Sequence, residues 1–89
     1  MKRVTVRVFG RVQGVFFRYT ARHHAEKLGL KGWARNEADG SVAITAEGEE
    51  EALEKFLDWC RRGPLLARVD NIEIKWQEAT GEFKRFEIL

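Results

Sequence analysis

The sequence predicts an α+β fold of the ferredoxin-like, split βαβ kind. That fold is one antiparallel sheet with two helices on one face, here with a short extra strand at the C-terminal end. Three observations predict it. Apolar residues recur with period two or with helical period in the order β-α-β-β-α-β. The turn sequence "ADGS" separates the two middle strands, as a hairpin requires. A chain of 89 residues with 44% hydrophobic content can fill one core and has no room for a second. A single domain over residues 1–89 is therefore expected.

Each element has its own signal. Val4, Val6 and Val8 alternate with Arg3, Thr5 and Arg7, the period of a strand with one buried face. "GRVQGVFFR", Gly10 to Arg18, follows as a loop, with Phe16 and Phe17 expected to anchor it in the core. Phe17, Ala21, Ala25 and Leu28 then recur at helical spacing, and Gly29 supplies the stop. The two small alanines let that helix lie close to a sheet. "LKGWARNEADGSVAITAEG" reads as a hairpin whose second strand turns Val42, Ile44 and Ala46 inward. In "EEEALEKFLDWCRRGP" acids fill the first turn and Leu53, Phe56, Leu57 and Cys60 form an inner stripe. Arg61 and Arg62 close this helix and Gly63-Pro64 ends it. Ile72, Ile74 and Trp76 alternate as a fourth strand, and "FKRFEIL" makes the short closing one.

Composition narrows the setting. Cys60 is the only cysteine, so no intramolecular disulfide can form and a reducing, cytoplasmic location is expected. "MKRVTVRVFG" alternates apolar and polar residues, unlike a signal peptide, and no apolar run approaches the roughly 18 residues of a membrane span. Charged residues make up 34% of the chain, and with one Pro and one Ser this hints at a heat-adapted source. Net charge is +2 but unevenly spread: Met1 to Asn36 holds nine Lys/Arg and one acid, Glu37 to Asp58 eight acids and one Lys. Two readings fit. The basic third serves an anionic ligand, or the two segments interleave in space and neutralise each other.

Several chemistries lack their residues. His23 and His24 are adjacent, so on a helix they diverge by about 100° and form no same-face ligand pair. Ser41 sits in the hairpin turn and Cys60 on an apolar stripe, neither a nucleophile's position. There is no G-x-x-x-x-G-K-[ST] motif, and Glu49, Glu50 and Glu51 read as a dipole-favoured helix start. No metal site and no cofactor is expected. The remaining candidate is the loop, with polar groups such as Asn36. Its glycines permit unusual backbone conformations and it runs into a helix N-terminus, where N–H groups lack partners. The N–H groups from about Gly14 to Arg18 would suit one anion, with the Arg18 guanidinium alongside. A tight connection with glycines serving turns only fits equally well at this point.

"GRVQGVFFR", then "KGWARN" with Asn36 eighteen residues after Arg18, then "DGSV" opening the next strand, strongly resembles the acylphosphatase family. The likeness covers the whole chain, including a final "F-x-I" strand, with no departure at the motif positions. The resemblance implies hydrolysis of the carboxyl-phosphate anhydride of acyl phosphates to a carboxylate and inorganic phosphate, without a metal. It makes Arg18 the catalytic arginine and Asn36 the residue that orients water. It makes the backbone N–H groups of Gly14, Val15, Phe16, Phe17 and Arg18 the phosphate-binding loop. A monomer acting on a small molecule, away from nucleic acid and membrane, is expected. The rival readings are a single-stranded RNA-binding module, suggested by the aromatic-rich "GVFFR", and a non-catalytic anion-binding module. The sequence leaves open which acyl phosphate is used and whether Leu89 reaches the loop.

Overall fold

The structure is a computed structural model describing residues 1–89. Its elements run β1 (Lys2–Arg11), α1 (Phe17–Lys27), β2 (Lys31–Asn36), β3 (Val42–Gly48), α2 (Glu50–Arg62), β4 (Arg68–Glu78) and β5 (Phe86–Ile88). They form one five-stranded sheet in the order β4-β1-β3-β2-β5. The two crossovers are split: β3 lies between β1 and β2, and β1 lies between β3 and β4. Pairing among the first four strands is antiparallel. β5 departs from the all-antiparallel expectation by adding parallel to β2, because the chain returns from β4 across the sheet before pairing.

Both helices lie on one face of the sheet. α1 packs over β2 and β5, α2 over β1 and β4. Val4, Val6 and Val8 point at them from β1, and Ala21 and Ala25 are fully buried, so α1 approaches closely. The central strand β3 is buried along its whole length, Val42 to Gly48. Leu53, Phe56, Leu57 and Cys60 form the inner stripe of α2 as expected, joined by Trp59. Burial pushes the Cys60 thiol far up, so it stays protonated. Trp59 packs on Phe17 with ring centroids 5.1 Å apart, joining α2 to the start of α1.

Two expectations need correction. Phe17 anchors the loop, but Phe16 does not: its ring is 69% exposed. β1 extends to Arg11, so Gly10 belongs to the sheet, where the pairing with β4 shifts register between Phe9 and Gly10. A Cβ on Gly10 would meet Arg68 O at 2.1 Å, so that glycine permits close strand approach and does not shape the loop. Ile72, Ile74 and Trp76 fall on β4 as expected, with Trp76 39% exposed on this edge strand. No helix is long and apolar enough to cross a membrane.

Candidate active site

The loop proper is Val12 to Phe16, between β1 and α1. Val12, Val15 and Phe17 are buried and pin it to the core, Gln13 is half-buried, and Gly14 and Phe16 are exposed. Gly14 has φ +75 with nothing within 4 Å of the place a Cβ would take. Glycine is needed there for the backbone conformation alone. The N–H groups of Gly14, Val15 and Phe16 donate to no backbone acceptor, and the first backbone bond of the helix comes from Thr20 N to Phe16 O at 3.0 Å. A run of free donors therefore meets the positive end of α1.

The second candidate, Asn36, is the last residue of β2, paired across the hairpin with Val42. Its Oδ1 is buried and accepts no hydrogen bond from the protein. A cavity of about 210 Å³ is lined by Val12, Gly14, Phe16, Phe17, Arg18, Tyr19 and Asn36. The structure thus brings the loop, Arg18 and Asn36 to one cavity, as their spacing along the chain does not reveal. No Asp, Glu or His lines it. A larger groove of about 600 Å³, lined by Lys2, Glu50, Glu54, Trp76, Gln77 and Glu78, has the wrong charge for an anion.

Arg18 is half-buried and pairs with no Asp or Glu side chain; its Nη1 donates to Leu89 O at 3.1 Å. Leu89 N in turn donates to Ala34 O at 2.9 Å, so β2 and the chain end hold the guanidinium together. Elsewhere the acidic segment does interleave with the basic one. Arg3 pairs with Glu47, and Arg7 and Arg35 both pair with Glu37. None of these acidic side chains pairs with Arg18.

Gln13 belongs to this arrangement too, which the sequence alone does not show. Its Nε2 donates to Glu37 O at 2.8 Å and to Ser41 O at 3.0 Å. It thereby ties the loop to the hairpin end that carries Asn36. The signal was present in "GRVQGVFFR", since Gln13 is its one uncharged polar side chain. What it reaches is more than twenty residues away and invisible in the string. Glu37 is further clamped by Arg7 at 3.0 Å and Arg35 at 2.6 Å. Hydrogen bonds from Arg35 and Arg7 hold its carboxyl below the ordinary range. Ser41 is structural as expected: Asp39 Oδ1 accepts from its N–H at 2.9 Å and its hydroxyl at 2.6 Å. His23 is exposed, and His24 stacks on Trp59 at 4.8 Å. The aromatic pair that suggested RNA binding is not on a strand face, since Phe17 is buried and Phe16 lies in the loop.

A family model described as acylphosphatase matches residues 4–88. The chain is 52% identical over 89 residues to an acylphosphatase of Methylococcus capsulatus, covering 100% of this chain and 97% of that one. It is 49% identical over 90 residues to an acylphosphatase of Pyrobaculum aerophilum, covering 100% and 95%. The crystal structure of acylphosphatase from Bacillus subtilis superposes with a TM-score of 0.96 at 38% identity, over 100% of this chain and 99% of that one. Full-length HypF, solved in a phosphate- and nucleotide-bound form, contains a matching segment. It gives TM-score 0.90 at 34% identity, over 99% of this chain and 12% of that one.

Proposed function

The chain belongs to the acylphosphatase family and is an enzyme of that family, and from this membership we propose how its own residues hydrolyse an acyl phosphate. The phosphoryl group sits on the backbone N–H groups of Gly14, Val15, Phe16, Phe17 and Arg18, with the Arg18 guanidinium on its remaining oxygens. Asn36 orients the attacking water. The observation that carries this reading is the buried, unpartnered Asn36 Oδ1 in the same cavity as the loop and Arg18. A buried acceptor without a partner costs about 1–3 kcal/mol. A water held there would recover that cost.

The chemistry matches what the cavity contains. Asn36 has no group that takes up a proton near neutrality, so it positions the water and does not deprotonate it. The water oxygen bonds to phosphorus as the bond from phosphorus to the acyl oxygen breaks. The bonding pair leaves with the carboxylate, and the water's surplus proton passes to phosphate or solvent. A carboxylate leaving group has a conjugate acid of pKa about 4–5, so no general acid is needed. A phosphomonoester would leave as an alkoxide and need one. A loose phosphoryl-transfer transition state asks little of the nucleophile and much of the charge around the equatorial oxygens. Preorganised N–H donors and Arg18 meet that demand without a metal ion. Activated anhydrides are therefore the substrates, with a carboxylate and inorganic phosphate as products.

Release of phosphate from benzoyl phosphate in the presence of EDTA tests the reading. Turnover unaffected by the chelator is expected. Phosphate binding with no turnover would reduce the site to an anion receptor.

A further inference from the structure

Phe16 is the one residue other than glycine with positive φ, at 64°. A bulky side chain in that region is a genuine outlier and costs backbone strain. Its ring is also left 69% exposed. Neither cost is recovered by packing, because Phe17 takes the core position. Glycine or asparagine would satisfy this backbone conformation more easily. The ring instead borders the cavity that holds Arg18 and Asn36, and Tyr19, 54% exposed, borders it too. Arg18 and Arg22 lie 6.0 and 5.7 Å from the Tyr19 ring centroid, and these contacts steady the ring at the mouth.

We propose that Phe16 and Tyr19 form an acyl-binding rim that favours acyl phosphates with a flat, apolar body over small ones such as acetyl phosphate. This rests on the reaction proposed above. With the phosphoryl group seated on the loop, the acyl part has to leave the cradle through its mouth. A cavity of about 210 Å³ exceeds what a phosphoryl group fills, and four of its seven lining residues are hydrophobic. An aromatic acyl group gains ring contact there and an acetyl group gains almost none. Binding away from the reacting bond also restricts the substrate to orientations in which water attacks in line.

The test compares kcat/KM for benzoyl phosphate and acetyl phosphate in the wild type, Tyr19→Ala and Phe16→Asn, the asparagine being tolerant of the left-handed backbone. Taking the ratio of the two substrates within each protein cancels any general damage to the loop. Tyr19→Ala is expected to raise KM for benzoyl phosphate about fivefold and to move that for acetyl phosphate less than about twofold. Phe16→Asn is expected to lower the benzoyl-to-acetyl ratio about tenfold. Equal losses for both substrates would show the rings to be structural and overturn the rim. Wild-type protein that turns over neither substrate would remove the reaction itself, and the rim with it.

Discussion

Two buried oxygen acceptors sit toward opposite ends of the β2–β3 hairpin and are treated in opposite ways. Glu47, 6% exposed, is saturated with donors. Its carboxylate accepts from Arg3 Nε at 2.7 Å, Thr80 N at 2.8 Å, Gly81 N at 3.0 Å and Thr80 Oγ1 at 3.1 Å. Asn36 Oδ1, also buried, accepts from nothing in the protein. Folding could satisfy a buried charge by recruiting the segment after β4, so the bare acceptor is not a general weakness of this hairpin. Where stability is the need, buried polar atoms are paired. At the cavity, an acceptor and the N–H donors of the loop are left open.

Asn36→Ala probes the contrast most strongly. It should lower kcat about 10²- to 10³-fold, the range found when one preorganised polar group is removed from a reacting centre. Removing an unsatisfied group costs folding little, so the urea midpoint should hold or rise. Unchanged turnover would take Asn36 out of the mechanism.

The converse change is Glu47→Gln. It should lower stability by about 2 kcal/mol through weakened charge-assisted hydrogen bonds, with kcat within about twofold of wild type. Burial alone pushes the Glu47 carboxyl up, but the N–H groups of Thr80 and Gly81 together with Arg3 outweigh it and hold it below the ordinary range. Its contribution is therefore present above the unfolded value, about 4.3, and lost as pH falls through the lower folded value. Melting temperatures measured from pH 7 to pH 3 should show a shallower acid limb in Glu47→Gln than in wild type. Parallel limbs would mean that other carboxylates control acid unfolding.

The smallest effect is expected from Gln13→Leu, which keeps the bulk and removes the tether between the two halves of the site. Here kcat should fall about fivefold while inhibition by inorganic phosphate barely changes, because the loop is pinned separately by Val12, Val15 and Phe17. Equal losses in phosphate affinity and kcat would indicate that the tether shapes the cradle itself.

Much of this was legible in the chain. Val4, Val6 and Val8, the alanine-faced first helix and the acid-started second helix announce themselves through short-range periodicity. The loop and Asn36 came from motif resemblance. Phe16 and Phe17 cannot be told apart by local pattern, because two adjacent aromatics look alike in a string. Only one can follow the helix into the core, and the left-handed turn at Phe16 sends the other outward. Gly10 reads as part of the loop because the string does not show that β4 runs alongside it. Gln13 went unremarked for a related reason, since its partners at Glu37 and Ser41 lie beyond the range of local patterns.

The sequence by itself determined the elements, their order and the residue types at the site. These depend on side-chain period and turn chemistry, which act over a few residues. Tertiary structure alone decided that Asn36 Oδ1 stays unpaired while Glu47 is saturated, and that Leu89 reaches Arg18. It also decided which phenylalanine enters the core. These outcomes depend on which distant groups folding brings within hydrogen-bond reach, and that is set by the packing of the whole sheet against its two helices.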